Sequence, residues 1–87
     1  MVIDQNDILK RQQLRNELLL KIYKHHYDNN SASFKVTESE FLKNNELKLA
    51  CSYLEGKGYI TNNSYSGYWE YKPTPQGIDY VESYCLK

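Results

Sequence analysis

The stretch from Glu46 to Gly77 constrains the fold of this chain more than any other segment. Four apolar residues near its start recur at the spacing of one helix face: Leu47, Ala50, Cys51 and Leu54. Glycine follows at positions 56 and 58, where a helix can end because glycine adopts the left-handed cap conformation without a Cβ clash. These residues predict a helix near 46–57 with one buried face.

A short β-hairpin is predicted to follow this helix. Strands are expected near 59–62 and 68–72, separated by a segment rich in Asn, Ser and Gly, which are turn residues. Residues of the second strand alternate, so Trp69 and Tyr71 share one face. We expect that face to pack on the core.

Capping signals predict where two other helices begin. Thr37 and Glu40 have the spacing of a capping box, which starts a short helix near 38–44. Thr74, followed by proline, can likewise start a helix near 75–85. The short helix and the one after it are separated only by a pair of asparagines, which predicts a helix-turn-helix.

The N-terminal part predicts one long helix near 5–28, because it favours helix and contains no Gly or Pro. Leu19 and Ile22 fall on its expected core face. Phe34–Val36 can form a short first strand that pairs with the hairpin.

Two short segments of this pattern resemble the signature of bacterial winged-helix regulators of the MarR and PadR kind. They are L-E-G-K-G-Y-I at 54–60 and Y-K-P-T-P-Q-G at 71–77, with Pro73 where those regulators usually have Leu. Small YjcQ-type winged-helix proteins are also similar. The resemblance implies one winged helix-turn-helix domain over residues 1–87. Such a domain is mostly α with a small β-hairpin, and here a long N-terminal helix would overhang its core.

The resemblance also implies binding to double-stranded DNA by a small transcription regulator. In that fold the second helix of the helix-turn-helix enters the major groove, and the hairpin, or wing, contacts the backbone. Amide, hydroxyl and ammonium groups on these elements can read bases or hold phosphates. The residues expected at DNA are Lys35, Lys43, Asn45, Lys48, Ser52, Asn63 and Tyr65.

The charge balance leaves a second hypothesis open. Lys plus Arg and Asp plus Glu number 11 each, so the net charge is zero and a monomer is expected to bind DNA weakly. The alternative is a protein-interaction module, such as a phage- or plasmid-type modulator of a host protein. Leu49 and Tyr53, off the main apolar face, could form an exposed patch with Tyr65 and Tyr68. Those tyrosines could equally pack the wing against the helix.

Apolar residues near both termini predict a homodimer. The expected contact residues are Ile8, Leu14 and Leu18 on the first helix and Tyr84 on the last. The apolar residues of these helices are more than a small core needs, and such an excess of exposed apolar surface is typical of interfaces. The alternative is a solvated N-terminal half of the first helix.

Catalysis, metal binding and cofactor binding are not expected. The sequence has no glycine-rich phosphate loop and no evident pairing of a nucleophile with a base. His25 and His26 have no further ligand at helical spacing apart from Asp28, at the expected end of the helix. Two cysteines, expected to be reduced, and no long apolar run predict a cytoplasmic protein without a membrane partner.

Overall fold

The computed structural model describes residues 4–85, which are mostly helical with a small three-stranded antiparallel sheet. The elements in chain order are α1 Gln5–Asp28, β1 Phe34–Thr37, α2 Glu38–Lys43, α3 Asn45–Gly56, β2 Ile60–Tyr65, β3 Tyr68–Pro73 and α4 Pro75–Cys85. The predicted helices are confirmed to within one residue at each end, and so is the short first strand.

Short polar side chains begin each helix, including the two for which the sequence predicted a cap. The Asp4 side chain accepts from the N–H of Asn6 at 3.0 Å. Thr37 and Glu40 form the complete capping box at the start of α2. At α4 the hydroxyl of Thr74 accepts from the N–H of Gly77 at 3.0 Å. Local hydrogen-bonding chemistry therefore determines the helix boundaries.

The sheet has the strand order β1-β3-β2, with β3 in the centre. Trp69 lies opposite Val36 in the register, and both Tyr71 and Val36 are buried on the face toward the helices. The ring centroid of Trp69 is 5.0 Å from that of Phe41 in α2. The prediction that Trp69 and Tyr71 face the core is confirmed.

The hairpin is longer than the sequence predicted. β2 continues to Tyr65, and Ser66 and Gly67 alone form the turn, with Gly67 at a φ of +84°. Tyr65 pairs with Tyr68, and their rings stack with centroids 5.0 Å apart. Cross-strand pairing therefore outweighs the turn propensity of the Asn and Ser residues in this segment.

The core lies between α1, α3 and the inner face of the sheet. Its buried apolar side chains are Leu18, Leu19, Ile22, Val36, Phe41, Ala50, Cys51, Leu54, Ile60, Tyr71 and Val81. Each of the seven described helices and strands contributes at least one of them. The apolar face predicted for α3 is thus buried as expected.

The prediction that Leu18 contacts a second copy of the chain is wrong. Leu18 is only 4 % exposed and belongs to the core of a single chain. Leu14, also expected at an interface, is half-buried where α1 packs against α3.

The positions of the other two expected interface residues do not test dimerisation, which stays a prediction. Ile8 is 42 % exposed near the start of α1. Tyr84 is half-buried, and its hydroxyl donates to the carbonyl oxygen of Asn16 at 2.9 Å. Residues 4–13 are all exposed, and this half of α1 contacts α3 through the Arg11–Glu46 ion pair and around Leu14.

Gly77 lies where the start of α4 crosses the segment before β2. A Cβ at this position would lie 2.0 Å from the carbonyl oxygen of Tyr59. We predict that Gly77→Ala lowers the free energy of unfolding by about 3 kcal/mol or more, because backbone must move to relieve the overlap. Urea denaturation followed by circular dichroism measures the change.

Gly56 provides the matched control for this substitution. A Cβ there meets nothing within 4 Å, and its φ is not positive. Gly56→Ala should change stability by no more than about 1 kcal/mol, toward higher stability, because alanine favours helix. Equal denaturation midpoints for the two variants would contradict the packing of α4 described above.

Candidate nucleic-acid interface

A polar face is built on α2 and α3. Asn44 joins the two helices tightly, because its N–H donates to Glu40 O at 3.1 Å and its side chain accepts from Leu47 N at 3.2 Å. One residue thus ends α2 and starts α3. The apolar side of α3 is buried, so its opposite side faces solvent.

The predicted DNA-contacting residues of α3 are all exposed. Asn45 and Lys48 line one groove together with Trp69 and residues of α2. Ser52 is exposed further along α3, and Lys43 is exposed at the end of α2. The structure therefore places these four residues around the outward side of one helix pair.

The predicted residues of the sheet lie on its outer face. Lys35 and Asn63 both pair with Glu70 in the register, one from each side of β3. The Lys35 ammonium lies 4.2 Å from the centroid of the Tyr68 ring, on which Tyr65 stacks. Lys35, Asn63 and Tyr65 thus form a second group around the central strand.

One backbone hydrogen bond ties the hairpin tip to the helix pair. The N–H of Glu38, the first residue of α2, donates to the carbonyl oxygen of Gly67 at 2.9 Å. Within residues 4–85 no side-chain hydrogen bond joins the α3 group to the sheet group. The α3 group and the sheet group of predicted DNA-contacting residues therefore lie on neighbouring elements that this backbone hydrogen bond links.

The sequence interpretation missed two arginines of α1 that lie beside α3. Arg11 Nε donates to Glu46 Oε1 at 2.8 Å, and the Arg15 guanidinium lies 4.0 Å from the Tyr53 ring centroid. Their positions continue the spacing of Leu18 and Ile22 toward the N-terminus, which is the signal that could have placed them. The hydrogen bond with Glu46 and the attraction of its charge raise the pKa of Arg11. The Glu46 carboxylate is thus paired with a cation at the surface.

The proposed aromatic patch for a protein partner is divided. Tyr53 is 44 % exposed on the side of α3 that faces α1. Tyr65 and Tyr68 stack on the outer face of the sheet. Among the residues described, no ring contact joins Tyr53 to either of them. The prediction that they form one patch is not supported by these contacts.

The pKa values of two core residues, Cys51 and Tyr71, are shifted mainly by burial. Burial raises the pKa of the Cys51 thiol to about 11, although a hydrogen bond with Tyr71 opposes the shift. Burial, followed by interaction with Cys51, raises the pKa of Tyr71. Thiolate is the reactive form of cysteine, so Cys51 is chemically inert in the folded chain.

No cluster of three potential metal ligands occurs within residues 4–85. Over the same residues, no helix has the length and apolarity needed to cross a bilayer. No protein-family model, curated protein or solved structure matches this chain.

Cys51 gives a prediction about reactivity and pH. In a Cys85→Ser background, Cys51 should react with a thiol reagent at pH 8 many times more slowly in buffer than in denaturant. The pKa of Cys51 is higher in the folded than in the unfolded chain, so the protonated thiol favours the folded state. This contribution to stability is complete below the unfolded pKa, near 9, and is lost as the pH rises toward about 11. Absorbance at the reagent's product wavelength measures the rate.

A second variant isolates this thiol in the stability measurement. Cys51→Ala with Cys85→Ser should lose stability less steeply between pH 9 and 11 than Cys85→Ser alone, as followed by urea denaturation. A thiol that reacts equally fast with and without denaturant would show that Cys51 is accessible.

Proposed function

We propose that this chain is a winged helix-turn-helix domain that binds double-stranded DNA as a small cytoplasmic transcription regulator. The order of elements and the β1-β3-β2 sheet support the fold. In this proposal α3 is the recognition helix, and β2 with β3 is the wing. α2 and the hydrogen bond from Glu38 to Gly67 hold the wing beside the helix pair.

The observation that carries the proposal is the outward side of α3. Asn45, Lys48 and Ser52 are exposed there, and amide, ammonium and hydroxyl groups can all read base edges. The carboxylate of Glu46, at the same end of the helix, is engaged by Arg11. The electrostatic cost of bringing this helix to a polyanion is therefore lower than the sequence alone indicates.

Phosphate contacts would come from the flanking elements. Lys43 ends α2 beside the recognition helix, and Lys35 lies on the outer face of the sheet. Asn63 and Tyr65 can donate hydrogen bonds from the wing. A zero net charge gives little general attraction to DNA, so we propose that a homodimer doubles these contacts.

Two kinds of substitution separate base contacts from phosphate contacts. Asn45→Ala and Lys48→Ala should each weaken binding to a selected duplex by about 1–3 kcal/mol and relax specificity at one position. Lys35→Ala and Lys43→Ala should weaken binding to all duplexes alike and reduce the salt slope by about one unit. Fluorescence anisotropy over a range of salt concentrations measures both effects.

Lys24→Ala is the matched control, because Lys24 is an exposed lysine of α1 outside this surface. It should change neither specificity nor the salt slope. A wild-type chain that binds no duplex even at low salt would reject the DNA proposal.

A second candidate is a protein-interaction module that modulates a host protein. The observation that favours it is the exposure of Leu42, which is 79 % accessible, and of Leu49, which is 54 % accessible. Leu42 lines the same groove as Asn45 and Lys48. Large apolar groups beside a groove are typical of anchors for a protein partner.

Leucine substitutions test this candidate against the first. Leu42→Ser and Leu49→Ser should abolish capture of one defined host protein while circular dichroism and the melting temperature stay unchanged, because both side chains are exposed. Lys43→Ala should have little effect on that capture. Two results together would contradict this second candidate: the wild-type chain captures no host protein, and Lys43→Ala loses duplex binding.

A further inference from the structure

A cleft opens between α1, the end of α3 and α4, on the side of α3 that faces α1. Its volume is about 380 Å³, within the usual range for small-molecule sites. Polar and aromatic side chains line it: Gln12, Arg15, Asn16, Tyr53, Lys57 and Tyr80. Within residues 4–85, two cations and no carboxylate line this cleft.

Arg15 differs from Arg11, one helical turn away, in having no carboxylate partner. Arg11 is paired with Glu46 at 2.8 Å, whereas Arg15 lies over the Tyr53 ring and makes no ion pair within residues 4–85. The ring holds the guanidinium in place without neutralising its charge. Arg15 is thus a positioned cation whose donors are available to an anion.

Glu17 and Glu55, on the two helices that flank the cleft, do not line it. Glu46, which lines a neighbouring pocket with Arg15, is paired with Arg11. Glu17 accepts from the side chain of Gln13 at 3.1 Å. The charge of Glu55 acts on the pKa values of Cys51 and Tyr71, on the side of α3 that faces the sheet. An anion in the cleft would therefore meet little repulsion from these groups.

The carbonyl groups at the negative end of the α3 dipole are already hydrogen-bonded. The last carbonyl groups of the helix accept backbone hydrogen bonds of 3.0 Å from Lys57, Gly58 and Tyr59. Lys57 itself is exposed, and its carbonyl oxygen accepts from the Gln76 side chain at 3.1 Å. The backbone that carries this second cation is therefore held by α4.

Aromatic rings form one wall of the cleft. Tyr80 stacks on Tyr59 with centroids 4.8 Å apart and an interplanar angle of 21°. The Tyr80 hydroxyl donates to Asn16 Oδ1 at 3.3 Å. Tyr80 remains 37 % exposed and Tyr53 44 % exposed. Arg15 covers one face of the Tyr53 ring and Tyr59 one face of Tyr80, so a flat heteroaromatic group would contact the surface of these rings that stays exposed. The amides of Gln12 and Asn16 supply polar partners.

We propose that this cleft binds a nucleoside monophosphate, with the phosphate held by Arg15 and Lys57 and the base placed against Tyr53 and Tyr80. A guanidinium suits phosphate because it can donate two parallel hydrogen bonds. The cleft volume accommodates one nucleotide. This role goes beyond DNA binding by α3 and does not depend on it.

Isothermal titration calorimetry of the whole chain, without DNA, tests the proposal. The probes are adenosine monophosphate, adenosine and inorganic phosphate. Adenosine monophosphate should bind more tightly than either of the other two, because only it engages both the cations and the rings. Arg15→Gln and Lys57→Gln should each weaken its binding about tenfold or more, as expected for a lost charge-assisted hydrogen bond.

Arg11→Gln is the matched control on the same helix, and it should change the affinity by less than about twofold, since Arg11 is already engaged by Glu46. Circular dichroism checks the fold of each variant, and Lys57→Gln provides the test on an exposed side chain if Arg15→Gln fails to fold. Three results would each overturn the proposal: no binding of adenosine monophosphate at millimolar concentration, inorganic phosphate binding as tightly as the nucleotide, or equal losses in Arg11→Gln and Arg15→Gln. A failure here leaves the DNA proposal untouched, because the titration contains no DNA.

Discussion

The packing of α1 against α3 and the sheet is the interaction on which the rest of the structure depends. Leu19 and Ile22 are almost completely buried, and Leu18 is 4 % exposed. They supply the apolar area that α3 and a sheet of three short strands could not bury by themselves. The same helix carries Arg11 and Arg15 to the side of α3. The packing of α1 therefore both completes the core and places these two arginines at the surface beside α3.

Local chemistry explains why much of the fold could be predicted from the sequence. The capping box at Thr37 and the cap at Thr74 act within one helical turn, so their residues predict helix starts without knowledge of the tertiary structure. The apolar face of α3 and the inward face of Trp69 follow from periodicity. The length of the hairpin did not follow, because stacking of Tyr65 on Tyr68 depends on pairing between strands.

The candidate surfaces could be predicted only in part. Exposure of Asn45 and Lys48 followed from the buried face of α3. The burial of Leu18 could not be predicted, because a long helix with several extra apolar residues can bury them in its own core or against a second chain. Likewise, the sequence could not show that Arg11 engages Glu46, since the two residues are far apart in the chain and meet only through the packing of α1 on α3.

A zero net charge is consequently a poor guide to what this surface attracts. The positive and negative charges are equal in number, yet they are not evenly distributed in space. Glu46 is paired with Arg11, and Glu70 lies beside Lys35 in the sheet register. Arg15 and Lys57 remain without an ion pair in the described part of the chain. Because screening limits electrostatic effects to roughly 10 Å in ordinary salt, an approaching anion responds to these local groups more than to the total. Attraction of anions by this chain therefore differs from one part of its surface to another.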